Sequence, residues 1–108
     1  MAELTPQEDS PLTVTISKEA EAPVVALCGE LDLATVEIAA AEVEPSLAGR
    51  PERVVFDVSA LRFMDSSGIA FLLSVARRAE RVELRGPSAA IRRLIEVTGL
   101  EKALPIVS

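Results

Sequence analysis

The chain has no histidine, no tryptophan and no tyrosine, and it has a single cysteine. The missing histidine removes the usual general base, the commonest metal ligand and the Ser-His-Asp triad together. With one cysteine, a zinc site would have to be built from carboxylates alone, which is poor chemistry for zinc. Ordinary catalysis therefore loses most of its parts; the expectation is a protein that binds and is not an enzyme, with no cofactor and no metal. Cys28 has no partner for an internal disulfide. It ends the apolar run Val24-Val25-Ala26-Leu27-Cys28 and is predicted to pack as a small hydrophobe, with a reducing cytoplasm as the simplest setting. No apolar run approaches the roughly 20 residues of a membrane span, so no membrane is expected as a partner. The opening Met1-Ala2-Glu3-Leu4-Thr5-Pro6 is acidic and polar, unlike a secretory signal.

What is present suits one domain: 108 residues, 49% of them hydrophobic, with an aliphatic core lightened of aromatics except for three Phe. The formal net charge of -6 is unevenly placed. Residues 1–49 carry one cation, Lys18, against ten acids, and residues 50–108 carry ten cations against seven acids. The acidic total argues against nucleic acid as the main ligand. The C-terminal arginines read as solvated helix faces, or as steering charges for a charged partner.

Residues 1–11, with two prolines and three acids, read as a flexible tail ahead of a domain at 12–108. Leu12 to Ser17 alternates with period two and predicts a strand. A charged turn over Lys18 to Pro23 leads into a second strand, Val24 to Cys28. Leu33, Val36, Ala40, Val43 and Leu47 make one helical stripe, with Asp32 as a plausible N-cap. Pro45 is a misfit that would kink or loosen that helix. Arg53 to Val58 is the most continuous strand and is expected at the centre of the sheet. A helix over Ile69 to Ala79 follows, then a strand at Val82 to Arg85. Ser88 caps a third helix that Gly99 closes, and Leu104 to Val107 is a weak last strand held to an edge by Pro105. The order β-β-α-β-α-β-α-β predicts an α/β fold. It would have a mixed, mostly parallel sheet of 4–5 strands flanked by 3–4 helices.

The segment Phe63-Met64-Asp65-Ser66-Ser67-Gly68-Ile69 sits where the central strand hands over to a helix. One reading is capping, since Asp and Ser are preferred N-caps; the other is a reactive or modifiable hydroxyl. One cap needs one residue, and three candidates stand in a row. A nucleophilic serine lacks both the Gly-x-Ser-x-Gly elbow and a histidine, and a phosphate-cradling loop would need several glycines and usually a lysine. Phosphorylation fits better, because unpaired N–H groups at a helix N-terminus favour a phosphate. In a parallel sheet the ends of neighbouring strands share a rim, so Asp32 and Asp65 are expected side by side, making an acidic patch around the serines. The helix after Gly68 is apolar almost all round. Either it is buried throughout, or Phe71 and Val75 form an exposed docking strip beside the serines.

Gly29-Glu30-Leu31-Asp32, Phe63-Met64-Asp65-Ser66-Ser67-Gly68 and Val97-Thr98-Gly99-Leu100 resemble, in order and spacing over residues 12–108, the STAS-domain anti-sigma factor antagonists of bacteria. The resemblance implies a phosphoprotein that regulates transcription by partner switching, as in stress responses. The unphosphorylated form binds an anti-sigma factor that is itself a serine kinase with a GHKL-type ATPase site, and so frees the sigma factor. Phosphorylation, implied at Ser66, breaks the complex, and a PP2C-type phosphatase resets it. Asp32 and Asp65 are implied to engage the kinase, with Ser67 and Gly68 shaping the loop; the apolar helix reading adds Phe71 to the expected partner-binding set. The alternative is a STAS scaffold in a larger signalling assembly or on a lipid-transport complex, in which Ser66 is dispensable.

Overall fold

A two-residue turn, Ala20-Glu21, starts the sheet. Both residues have positive φ, 49° and 72°, the conformation of the tight hairpin turn whose twist matches its flanking strands. It joins β1 (Leu12–Glu19) to β2 (Ala22–Leu31) in antiparallel register, from Glu19 opposite Ala22 to Leu12 opposite Gly29. The computed structural model describes residues 11–107, so nearly all of the expected tail lies outside the described residues. Three strand-helix-strand units follow: α1 (Val36–Val43) to β3 (Val54–Met64), α2 (Ser66–Ala76) to β4 (Val82–Arg85), and α3 (Ala89–Val97) to β5 (Ile106–Val107). The sheet runs β1-β2-β3-β4-β5, with every pair after the first parallel. This is the expected mixed α/β order, with β3 at the centre and the shortest strand at the edge.

Because strand order equals chain order, right-handed crossovers all fall on one side of the sheet. Accordingly α1, α2 and α3 all feed one core: Ala39 and Val43, Leu72 and Val75, and Ile91 and Ile95 meet Val25, Leu27, Val54, Phe56, Val58 and Leu84 from the strands. Strand alternation turns the intervening residues to the other face. There Glu19 of β1 reaches across β2 and β3 to Arg85 of β4, with two contacts of 3.1 Å. Glu83 lies nearly buried on the same face, bonded by Arg53 (2.9 Å) and Arg81 (2.7 Å). Burial alone would push its carboxyl up; the hydrogen bonds and charges of the two guanidinia outweigh that and hold it below its ordinary value.

Several local expectations are corrected. β3 runs six residues past Val58, so Phe63 and Met64 belong to the strand. Helix α1 starts at Val36, one turn later than its pattern suggested, and buries Ala39 where Ala40 was expected; Leu33 is left 76% exposed. Of the two effects expected of Pro45, loosening is what occurs: the α-helix gives way to a 3-10 segment around it. The α-helix ends at Val43, and Pro45 sits in the first turn of a short 3-10 segment, Glu44–Leu47, where its missing N–H is not needed. Helix α2 starts at Ser66, three residues earlier than its apolar pattern. Cys28 is exposed rather than packed, because the alternation that buries Leu27 turns its neighbour to the helix-free face.

Candidate functional site

The rim of the sheet where β2 and β3 end is built by a change of register. At the start of the pair Val24 lies opposite Val55, but Cys28 lies opposite Ala60 and Glu30 opposite Phe63. Strand β3 thus accommodates extra residues at two irregularities, the usual effect of bulges. The last pair, Leu31 and Met64, then brings Asp32 and Asp65 out of the sheet side by side, and the Asp65 N–H donates to the Leu31 carbonyl at 3.3 Å. The expected meeting of the two acidic loops is what the structure shows.

Asp65 settles the capping question. Its backbone is extended, and its Oδ1 accepts from the N–H of Ser67 at 2.8 Å and of Gly68 at 3.3 Å, the work of an N-cap. Ser66, the first helical residue, is exposed, and no described group bonds its hydroxyl. Ser67 is half-buried and contributes its N–H to the cap. Gly68 is buried where α2 meets the end of β2: a Cβ there would lie 2.6 Å from Met64 Cγ and 2.9 Å from the Leu31 carbonyl oxygen. Only a glycine lets the helix start this close to both strands.

On the β2 side Asp32 does not cap α1. Its Oδ1 accepts from the Ala34 N–H at 3.0 Å, forming a local turn. Thr35, fully buried, pins that turn: its Oγ1 donates to the Glu30 carbonyl at 2.8 Å and accepts from the Asp32 N–H at 3.0 Å. Sequence reasoning passed over Thr35; the Asp-x-x-Thr spacing was the available signal, since such pairs close turns. It also missed the apolar residues beside the acids. Leu33 is 76% exposed and Phe63 49% exposed; Phe63 stands beside the loop outside any periodic stripe, whereas the pattern absorbs Leu33 into the stripe of the first helix, which in fact starts only at Val36.

Phe71 is the correction. The ring expected to face a partner is 6% exposed and packs edge-on against Phe56, centroids 5.8 Å apart. Val75 is buried with it. Helix α2 turns its apolar side chains inward because it lies over the centre of the sheet, and its exposed positions are the small Ser66, Ala70 and Ser74. Asp32, Asp65, Ser66, Ser67 and Gly68 therefore share one rim, and Phe71 does not belong to its surface. Among the described residues no cluster of three or more His, Cys, Asp or Glu could hold a metal ion. Nor is any helix there long and apolar enough to cross a membrane.

Comparison with known proteins agrees with this geometry. A family profile described as "Mlab, STAS domain" matches residues 14–108. An anti-sigma F factor antagonist of Lysinibacillus sphaericus is 33% identical over 85 residues, covering 74% of this chain and 73% of its own. Among solved structures, an anti-sigma factor antagonist from Mycobacterium paratuberculosis superposes with a TM-score of 0.80 at 26% identity, over 88% of this chain and 84% of that one. The anti-sigma factor antagonist SpoIIAA of Bacillus superposes in its unphosphorylated form with a TM-score of 0.74 at 27% identity, over 89% of each chain. In its phosphorylated form the TM-score is 0.68. Fold and sequence agree, and the chain belongs to the STAS-domain family.

Proposed function

We propose that this protein is an anti-sigma factor antagonist whose binding surface is the rim around Asp32 and Asp65 and whose switch is Ser66. The unphosphorylated form binds an anti-sigma factor that is also a serine kinase of the GHKL ATPase type, releasing a sigma factor in the cytoplasm. Phosphorylation of Ser66 ends the complex, and a PP2C-type phosphatase restores it. One observation carries the reading: Asp65 alone caps α2, which leaves the Ser66 hydroxyl exposed and unbonded at the first helical position. The relatives add support, since one of them is known as an anti-sigma factor antagonist in both unphosphorylated and phosphorylated forms.

The energetics follow from that position. A phosphate on Ser66 adds about 1.5 to 2 negative charges next to two carboxylates, and the helix N-terminus tolerates it. The fold has no reason to change; a docked protein does, because the added charge must be desolvated against whatever complements Asp32 and Asp65. Shifting a partner from 1:99 to 99:1 takes about 5.5 kcal/mol of differential affinity, the scale of a charge forced into a packed interface.

The test is capture from the source organism with Ser66→Ala as bait, followed by titration of the captured anti-sigma factor. Ser66→Ala is expected to bind at least as tightly as the unphosphorylated wild type and to resist ATP. Ser66→Asp is expected to bind at least tenfold more weakly with an unchanged melting temperature. Equal affinity for wild type and Ser66→Asp would sink the switch and leave a scaffold whose serine is dispensable.

A further inference from the structure

Beside the acidic rim lies a second feature of different chemistry. Strand β4 stops at Arg85 and pairs with β3 only over Val54–Asp57. Strand β3 runs on to Met64, and α3 rather than a strand packs near its far end. Between them is a groove lined by Arg62, Phe63, Met64, Ala90, Ile91 and Leu94. Met64 and Ile91 are buried, Leu94 is half-buried, and half of Phe63 faces solvent.

The charge at its edge is positive. The Arg62 side chain is 68% exposed, and the anion nearest it, Glu30, is 3.9 Å away, too far for a hydrogen bond. Arg93 follows Ala90 by three residues and shares its helix face. In the chain the groove runs directly into Met64-Asp65-Ser66, so a protein seated on the rim meets a carboxylate patch on one side and an apolar slot with a basic edge on the other.

Resting on the function proposed above, we infer that this groove is a second anchor for the anti-sigma factor: it takes one aliphatic or aromatic side chain of that partner, with a neighbouring carboxylate set against Arg62. The basic edge selects the occupant. In a two-fold pairing of this chain through the same groove, the Arg62 edge would approach its own copy; a partner with an acid beside its apolar residue has no such conflict. Arg62, 68% exposed and held to Glu30 only by a 3.9 Å ion pair without a hydrogen bond, keeps its guanidinium donors open to a partner's carboxylate.

The experiment is isothermal titration of the captured anti-sigma factor with unphosphorylated full-length chain carrying Phe63→Ala, Arg62→Ala or Arg62→Glu, and Lys102→Ala as a remote control. Sedimentation of each free protein is measured alongside. Phe63→Ala and Arg62→Glu are each expected to weaken binding at least tenfold with circular dichroism unchanged. Arg62→Ala should reduce the dependence of affinity on salt, and Lys102→Ala should change nothing. Wild-type affinity in Phe63→Ala and Arg62→Glu overturns the groove as an anchor and leaves the Ser66 switch standing, whereas a wild type that binds no anti-sigma factor overturns both. If Phe63→Ala alters self-association of the free chain but not the titration, the groove belongs to a second copy and the inference is wrong.

Discussion

At Asp65 and Ser66 two adjacent polar side chains divide the work that one cap would otherwise do. Asp65 spends its carboxylate on the N–H groups of Ser67 and Gly68, so Asp65→Ala should cost about 0.5–2 kcal/mol in urea unfolding. Ser66→Ala should cost close to nothing, since no described group bonds that hydroxyl. Gly68→Ala is the severe change at this site. Its Cβ would enter the space of Met64 Cγ and the Leu31 carbonyl, and overpacking of this kind costs about 1–3 kcal/mol. Binding and stability should fall together there, while Ser66→Asp separates them. From spacing alone the Asp-Ser-Ser-Gly run reads as either a cap or a modifiable hydroxyl, and only the family resemblance singles out Ser66. Which member caps was not legible, because three adjacent candidates differ only in which N–H groups their side chains reach in three dimensions. The inward turn of Phe71 was hidden for a related reason: a helix apolar on nearly every face gives no periodic signal of which face meets the sheet.

Elements were legible wherever one face is buried and the other is wet. The strand at β1, the stripe of α3 and the Ser88 cap, whose Oγ accepts from the Ile91 N–H at 3.2 Å, match expectation, although β1 buries only Leu12 and leaves Ile16 exposed. Boundaries drifted where tertiary contacts override local pattern. Strand β3 outran its apolar run because bulged pairing to β2 continues through Ser59, Ala60 and Arg62, residues with no strand signature of their own. The start of α1 shifted because Thr35, not Asp32, organises the turn before it. Thr35→Val keeps the shape and deletes the hydroxyl, leaving the Glu30 carbonyl and the Asp32 N–H short of a partner. The expected cost is about 1–3 kcal/mol, with a further loss of anti-sigma factor affinity from a misplaced Asp32, read by thermal melts and titration. At the opposite end of the molecule the β1–β2 turn holds Ala20 and Glu21 at positive φ, where neither residue type is at ease. The pair Ala20→Asn with Glu21→Gly should relieve this and stabilise the hairpin by about 1 kcal/mol, visible as a raised urea midpoint with function intact.

For the whole molecule, charge sets the response to pH. No histidine exists to titrate, so stability should be flat from about pH 6 to 8. Glu83, Asp57, Glu19 and Glu44 are all held below their ordinary values in the folded protein. The Ser59 hydroxyl does this for Asp57, Arg85 for Glu19, Arg78 for Glu44, and Arg53 with Arg81 for Glu83 against the opposing effect of burial. A depressed carboxyl binds fewer protons folded than unfolded, so its stabilisation is complete above the ordinary carboxyl range and is lost as pH falls through the folded value. Melting temperature should therefore drop below about pH 4.5, less steeply in Glu83→Gln than in wild type. That variant should also cost about 1–3 kcal/mol at neutral pH, since Arg53 and Arg81 lose the anion between them.

The one-directional order of the sheet has a consequence for how the protein is made. Each strand lies beside the one synthesised just before it, so a chain leaving the ribosome can add each unit to a surface already in place, without holding an edge open for a later segment. The hairpin is the seed, β3 with α1 supplies the first deep core, and the short β5 is a finishing strip. Pairing between sequence neighbours keeps loop closure short, which favours rapid folding for a sheet protein. The rim around Asp65 is then complete only once Gly68 and the helix behind it have emerged.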